Sequence, residues 1–359
     1  MKKLYTLSLL FTVLLIISAC SNKDTLHHEY EAENIILIIG DGMGTIHEEV
    51  AREILGGPLA WDDFPFQGEM VTTSLSYPSA TGSDAAATAM STGVKTRNTY
   101  LGKDADGLPL KHFYSYAMEV GMRTGMVVTD NLYGATPAGF SVSDAMRFET
   151  RKIRTEQLKS GMDVLIGADP SEDYQSHMDL IEEYGYYYTQ SIEEDINSDK
   201  LLLLPYTIDA PENFLEYSTL FLPLVDIALN TLTNNHDDGF FLLIEGAKID
   251  HFSHSNNYDF VYELIDMHYV VQYVMEWVED NPNTIVIVTA DHETGGLSID
   301  SDDTSIPIKD RLAWSTGGHT NDNVNYYLYA DSCLLCVEVI DITDIHFIMR
   351  SYLPRKPKD

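Results

Sequence analysis

Between Phe240 and Ile244 the chain carries five apolar side chains in succession, with no polar residue among them to face solvent. Successive side chains of a strand point to opposite faces, so a strand of this kind has to be covered on both sides. Similar runs recur at Asn34 to Ile39, Gly125 to Val128, Asp163 to Gly167, Thr284 to Thr289 and Tyr326 to Tyr329, with helical segments between them. That alternation implies a mostly parallel sheet, because each crossover helix packs back onto a face. The expected fold is therefore α/β, a mostly parallel central sheet flanked by helices on both faces. A chain of 359 residues is long for one core but within the range of a large α/β domain with insertions.

The ends of the chain read differently from its middle. Met1, Lys2 and Lys3 precede an apolar stretch from Leu4 to Ala19, too short to span a bilayer comfortably. It closes on Ile17-Ser18-Ala19-Cys20, which resembles a bacterial lipobox, with an ordinary secretion signal as the other reading. Residues 1–19 are thus expected to be a lipoprotein-type signal peptide and residues 20–33 a tether. A single catalytic domain is expected over 34–352, with a basic tail over 353–359. The working protein would be exported and anchored to a bacterial membrane, on the periplasmic side or the cell surface, by acyl chains on Cys20. Of the other cysteines, Cys333 and Cys336 form a CxxC with an apolar interior, which in an exported protein reads as buried structural thiols or a tight local disulfide. Acidic residues outnumber basic ones 56 to 22, giving a formal charge of −34. Nucleic acid is excluded as a specific partner, since its affinity rests on phosphate neutralisation by Lys and Arg. The acidity, spread along the chain, reads as a device for solubility. Residues 148–239 carry fewer site motifs and a Tyr-rich acidic stretch from Glu182 to Asp199, expected to furnish outer helices and cleft walls.

Chemistry gathers where the apolar runs stop. Glu245 closes one run, and Asp250 and His254 follow four residues apart, so that on a helical turn they share a face and can grip one ion. The first run ends in Gly40-Asp41-Gly42-Met43-Gly44, where glycines let the backbone turn tightly and bring Asp41 to the sheet edge. These glycines do not have the GxGxxG spacing of a dinucleotide site. Asp291 and His292 follow the run that ends at Thr289, and His319 follows Gly317-Gly318. Any one of the 12 histidines, taken alone, reads as an ordinary surface or core residue. Carboxylates and imidazoles at successive strand ends read differently, because unpaired buried charge is costly and metal coordination removes the cost. Ser83 heads the alanine-rich run to Thr96, either as a simple cap or as a nucleophile whose alkoxide the free amides of a helix start would stabilise. Arg147, eleven residues after Thr136, presents a planar fork suited to two phosphate oxygens.

Taken in this order, the motifs from about Glu33 to Thr320 resemble the alkaline phosphatase family. The resemblance implies an alkaline-phosphatase-like three-layer sandwich and hydrolysis of small phosphate monoesters. Ser83 would be the nucleophile, within T-x-S-x-A-A-x-T-A, and a phosphoserine the intermediate, with Arg147 as phosphate clamp. Asp250, His254 and His319 would hold one zinc, and Asp41, Asp291 and His292 a second. Asp41, Thr136 and Glu245 would form an all-oxygen site for magnesium, in keeping with the preference of imidazole for zinc and of carboxylate and hydroxyl for a hard ion. A homodimer and an alkaline optimum are further implications.

The chain also departs from the family pattern. Gly82 stands where many members carry an aspartate that orients the arginine, which leaves Arg147 either more mobile or held by Asp84 or Asp144. Gly134 stands where many carry a carboxylate or histidine near the third metal, and His251 follows Asp250 as in some relatives. The alternatives are a phosphodiesterase or phosphotransferase of the same superfamily and, in a different class, a non-catalytic lipoprotein that binds phosphate or zinc.

Overall fold

A computed structural model describes residues 31–169, 176–194, 196–205, 208, 221–234, 236 and 238–355. The signal segment and most of the tether lie outside the described residues, as do the last four residues of the basic tail. Strands form at the six expected runs, as β1, β4, β6, β9, β10 and β13, and at eight further places: β1 (Asn34–Gly40), β2 (Phe66–Val71), β3 (Tyr100–Leu101), β4 (Arg123–Asn131), β5 (Ala145–Met146), β6 (Val164–Ala168) and β7 (Tyr187–Thr189) in the first part. They continue with β8 (Leu201–Leu203), β9 (Phe240–Gly246), β10 (Thr284–Thr289), β11 (Leu297–Ile299), β12 (Leu312–Trp314), β13 (Val324–Tyr329) and β14 (Val339–Asp341). Ten of these make one sheet in the order β14-β2-β13-β10-β1-β9-β4-β6-β8-β7.

All neighbouring strands are parallel except where β13 lies between β10 and β2, antiparallel to both. Every residue of β1, β9 and β10 is buried, which for strands requires cover on both faces. Helices supply it: Phe221–Thr233 buries Leu224, Val225, Ala228 and Leu229, and Phe260–Asp280 buries Leu264, Val270, Val271 and Val274. The expected fold class is thus the observed one. Among the described residues no helix is long and apolar enough to cross a membrane. Cys333 and Cys336 are joined as a disulfide.

Register brings the strand ends to one level. Ile39 of β1 pairs with Glu245 of β9 on one side and Thr289 of β10 on the other, while Val128 of β4 also pairs with Glu245. Asp41, Glu245 and Asp291 therefore emerge at the same carboxyl edge, beside the loop from β4 to the Ala135–Ser141 helix. The Glu182 to Asp199 stretch, part of the 148–239 segment expected to furnish outer helices and cleft walls, lies at the far edge of the sheet. That stretch contains β7, the outermost strand, four places from β9 in the sheet order. Of the described residues from 148 to 239, only Phe148 and Thr150 line the cleft that holds Ser83.

Two buried histidines couple this core to pH. The ring nitrogens of His112 lie 3.0 Å from Ser91 Oγ and 3.1 Å from Ser143 Oγ, and His346 Nδ1 donates to the Ser91 carbonyl at 2.8 Å. Burial pushes both pKa values down to about 4. Both are neutral in the folded chain, whereas below pH 6.5 the unfolded chain takes up protons, so their stabilisation is complete above 6.5 and declines as pH falls towards 4. The free energy of unfolding, followed by urea denaturation, should fall over that window by on the order of 1 kcal/mol per histidine per pH unit. The double variant His112→Gln, His346→Gln should show a visibly shallower fall; an unchanged slope would remove these residues as its source.

Candidate active site

Each functional side chain is delivered by a short turn leaving the sheet edge. After β1 the backbone donates from Asp41 N–H to the Gly246 carbonyl at 3.0 Å and then turns at Gly42, with φ +74°. A side chain at Gly42 would come within 2.9 Å of the Asp250 Cα, so only glycine lets the Asp41 turn lie against the next element. That element, the helix Lys248–His254, places Asp250 and His254 on one face with His254 Nε2 3.2 Å from Asp250 Oδ2. After β10, the Asp291 carboxylate accepts N–H bonds from Gly42 at 3.1 Å and His292 at 2.9 Å, tying two strand ends together. The chain then bends through Gly295 and Gly296, both at positive φ, and Thr294 bridges to His319.

The imidazoles are aimed by backbone carbonyls. His254 Nδ1 donates to the Gly317 carbonyl at 2.8 Å and His319 Nδ1 to the Thr81 carbonyl at 2.7 Å. Both Nε2 atoms are thereby turned inward, 3.1 Å from each other, with His319 Nε2 3.4 Å from Asp250 Oδ1. Donation from the far ring nitrogen to a carbonyl is the usual way a metal-binding histidine is oriented. His292 Nε2 faces Asp291 Oδ2 at 3.2 Å, Asp41 Oδ1 at 3.5 Å and Ser83 Oγ at 3.1 Å. Two groups result whose ligand atoms lie within 4.8 Å of one another: Asp250, His254 and His319, and Asp41, Asp250 and His292. Asp250 therefore stands between the two groups, a sharing that the ligand sets expected from the sequence did not contain. Thr136 and Glu245 line the same cleft as Asp41, each buried.

Charge in this cleft is poorly compensated. Burial, together with the negative charges of Asp291, Asp250 and Glu245, pushes the Asp41 carboxyl well above its ordinary range. Glu245 is raised likewise, by burial and by neighbouring carboxylates. For Asp250, burial alone would raise the pKa, but hydrogen bonds from His254 and His319 overturn it and hold the carboxyl well below the usual value. The same Asp250 bond lifts His254 to about 9, and it lifts His319 against the opposing effect of burial, whereas burial lowers His292. Asp41 Oδ1, Asp291 Oδ2 and Thr136 Oγ1 are buried with no hydrogen-bond partner. Orphaned oxygens gathered beside inward-turned Nε2 atoms fit divalent cations, which would displace the protons these groups otherwise hold.

Ser83 is the first residue of the helix Ser83–Thr92, is buried, and lines the cleft. Arg147 Nη1 lies 2.8 Å from Asp84 Oδ2. The other oxygen of Asp84 accepts from Ala85 N–H at 2.8 Å and Thr99 N–H at 2.9 Å, and the Thr99 carbonyl accepts the Arg147 N–H at 3.0 Å. Thr99, at φ 76°, occupies the left-handed region that a β-branched residue rarely enters. Both the backbone and the side chain of Arg147 are thus held through Asp84. Asp144, the other candidate, pairs with Lys103 at 3.4 Å instead. His251 lines the cleft 3.6 Å from Asp130 Oδ2.

Glu293 is a residue the motif reading passed over. Its carboxylate accepts from Gly296 N–H, Leu297 N–H and the Thr320 hydroxyl, the last at 2.5 Å, and so ties the Asp291–His292 turn to the His319 loop. No motif in the sequence marks this role: of the two glycines that follow Thr294, only Gly296 donates to Glu293, while Gly295 N–H donates to the Gly318 carbonyl at 2.9 Å.

A family profile described as alkaline phosphatase matches residues 32–170 and 204–313. Alkaline phosphatase 3 of Bacillus subtilis is 32% identical over 302 residues, 76% of this chain and 63% of that protein. The Escherichia coli K12 alkaline phosphatase is 26% identical, covering 90% of this chain and 87% of its own. The chain spans 63% of the length of the Bacillus relative. Among solved structures, the alkaline phosphatase of the Antarctic bacterium TAB5 superposes with a TM-score of 0.79 at 23% identity, over 90% of this chain and 98% of that one. The cold-active enzyme of a Shewanella species gives 0.82 at 24%, over 90% and 100%. By the extent of the profile match and by these relatives, the chain belongs to the alkaline phosphatase family.

Proposed function

We propose that this protein hydrolyses small phosphate monoesters through a phosphoserine at Ser83, using two zinc ions and one magnesium ion. The observation that carries the reading is the placement of Ser83 Oγ 3.1 Å from His292 Nε2, among inward-turned imidazoles and orphaned carboxylate oxygens. Asp250, His254 and His319 would hold one zinc and Asp41, Asp291 and His292 the other, with Asp250 close to both, and Asp41, Thr136 and Glu245 would hold magnesium. Magnesium is bound in the M3 site of a solved variant of the TAB5 enzyme. Bound there, the ions would supply Lewis acidity towards the phosphoryl oxygens and ease ionisation of the serine hydroxyl.

The chain's own groups do the rest. Arg147, held by Asp84, presents its fork to two equatorial oxygens of the phosphoryl group. The amides at the start of the Ser83 helix face the same charge. Ser83 Oγ bonds to phosphorus as the ester oxygen departs and takes up a proton as an alcohol. Water then attacks phosphorus in line, the Ser83 bond breaks, and phosphate is released with the serine restored. Export and attachment through a lipidated Cys20 belong to the same reading; the disulfide at Cys333 and Cys336, a bond that persists in oxidising compartments, supports export alone.

An aryl phosphate monoester should be turned over and the corresponding diester far more slowly, and prior treatment with a chelator should abolish activity until zinc and magnesium are returned. Ser83→Ala should lower kcat by roughly a thousandfold or more, about 4 kcal/mol of barrier. Equal diester turnover, or activity indifferent to chelation, would overturn the reading. Asp84→Asn keeps the acceptor for the Thr99 and Ala85 amides but removes the charge facing Arg147. Its inhibition constant for inorganic phosphate should rise by roughly tenfold, as expected for loss of one charge-assisted bond, with an unchanged melting temperature. For localisation, Cys20→Ser expressed in a bacterium should move the protein from the membrane fraction to the soluble one, and retention in the membrane would remove the lipid anchor.

A further inference from the structure

One buried imidazole outside the metal cluster touches two ligand-bearing segments at once. His47 sits in the first turn of the helix Thr45–Leu55 with no exposed surface. Its Nδ1 accepts the Gly44 N–H at 3.2 Å, which puts the ring proton on Nε2. That proton is donated to Ser253 Oγ at 2.9 Å, and the Ser253 hydroxyl passes its own to the Ile249 carbonyl at 2.7 Å. A backbone amide therefore dictates the tautomer, and burial, which pushes the pKa down to about 3, keeps the ring neutral. Phe260 and Trp314 meet the ring edge-on, with centroids 4.7 and 6.0 Å away.

The two partners of His47 are not arbitrary pieces of backbone. Gly44 follows Asp41 by three residues in the turn that leaves β1, and Ser253 lies between Asp250 and His254. Gly44 is also packed against Glu293, since a Cβ there would meet the Glu293 Cγ at 2.3 Å. Asp41 and Asp250 are both buried and repel each other, so the turn and the helix tend to separate before any cation arrives. A neutral ring that accepts from one segment and donates to the other resists that separation without adding charge to the site.

We infer that His47 is a positioning residue that clamps the Asp41 turn to the Asp250–His254 helix and so sets the affinity of the Asp41, Asp250 and His292 cluster for a divalent cation. The inference rests on the metal-binding reading given above. Its test is zinc affinity on the folded, metal-free protein, measured by competition with a chromophoric chelator, beside the melting temperature of the metal-free form. Ser253→Ala keeps the ring and its aromatic packing but removes the acceptor, and should raise the zinc dissociation constant by roughly ten to a hundredfold, the range seen when groups behind metal ligands are removed. His47→Ala should raise it at least as much, and His47→Gln, whose amide can still donate towards Ser253, should recover part of the loss. Zinc affinities of Ser253→Ala and His47→Ala within twofold of the wild type would overturn the clamp, whatever their melting temperatures. A wild-type protein that takes up no zinc would overturn the proposed function itself, and the clamp with it.

Discussion

Like charge held in a dry place is the constraint around which this molecule is arranged. Asp41, Glu245, Asp250 and Asp291 are all buried at the carboxyl edge of a sheet that is itself covered on both faces. An unpaired carboxylate in such surroundings costs several kcal/mol, and four together cost more because each raises the price of its neighbours. Donors within the chain meet part of the demand: two backbone amides on Asp291, the Thr294 hydroxyl and two imidazoles near Asp250. The oxygens left over on Asp41 and Asp291 lie beside His292 Nε2, where a cation can complete them. The candidate site thus occupies the place where the fold is least satisfied, as expected of a site proposed to bind charge.

Tolerance of that repulsion comes from the sheet. β1 is bonded along its length to β9 on one side and β10 on the other, so none of the three strand ends can withdraw without breaking a ladder. Their apolar side chains, fully covered, hold the ladder in water. The turns beyond the ladder have no such support, and there side chains take over: Asp291 reaches Gly42, Glu293 reaches Thr320, and His47 reaches Ser253. Rigidity in the strands and cross-bracing in the turns together keep the ligands close without requiring a cation to assemble them.

What could be read from the sequence follows the same division. Strands apolar on both faces announce themselves by composition, and the ligands fall within a few residues of their ends, so Glu245, Asp41 and Asp291 were visible as strand-end carboxylates. Asp250 and His254 were visible because helical spacing is local. β13 was legible as a strand but not as an antiparallel one, since direction depends on how the chain returns after a long excursion. The braces were not legible at all. Glu293 and His47 act across 27 and 206 residues of chain, respectively, and neither spacing nor composition marks such a contact. The place of the Glu182 to Asp199 stretch at the far edge of the sheet was likewise unmarked, because no local pattern records position in the sheet order.

The arginine clamp shows how a departure in sequence can preserve a physical arrangement. Gly82 leaves no carboxylate on the amino-terminal side of Ser83, yet Arg147 is still bound by one, from the next residue on the other side. The two positions are linked by space. A Cβ at residue 82 would lie 3.0 Å from Asp84 Oδ1, the same oxygen that accepts from Thr99 and Ala85. A side chain at 82 would therefore crowd the carboxylate in its present orientation, and glycine there is what allows Asp84 to turn back over the start of the helix. Thr99 is drawn into the same arrangement. Its left-handed backbone is unfavourable by about 1 to 2 kcal/mol for a residue with a Cβ, and the Asp84 and Arg147 bonds on either side of it are what oppose that cost. Glycine at 82, aspartate at 84 and a strained threonine at 99 form one solution to one requirement, a guanidinium fixed beside Ser83, and each loses its reason if either of the others is changed alone.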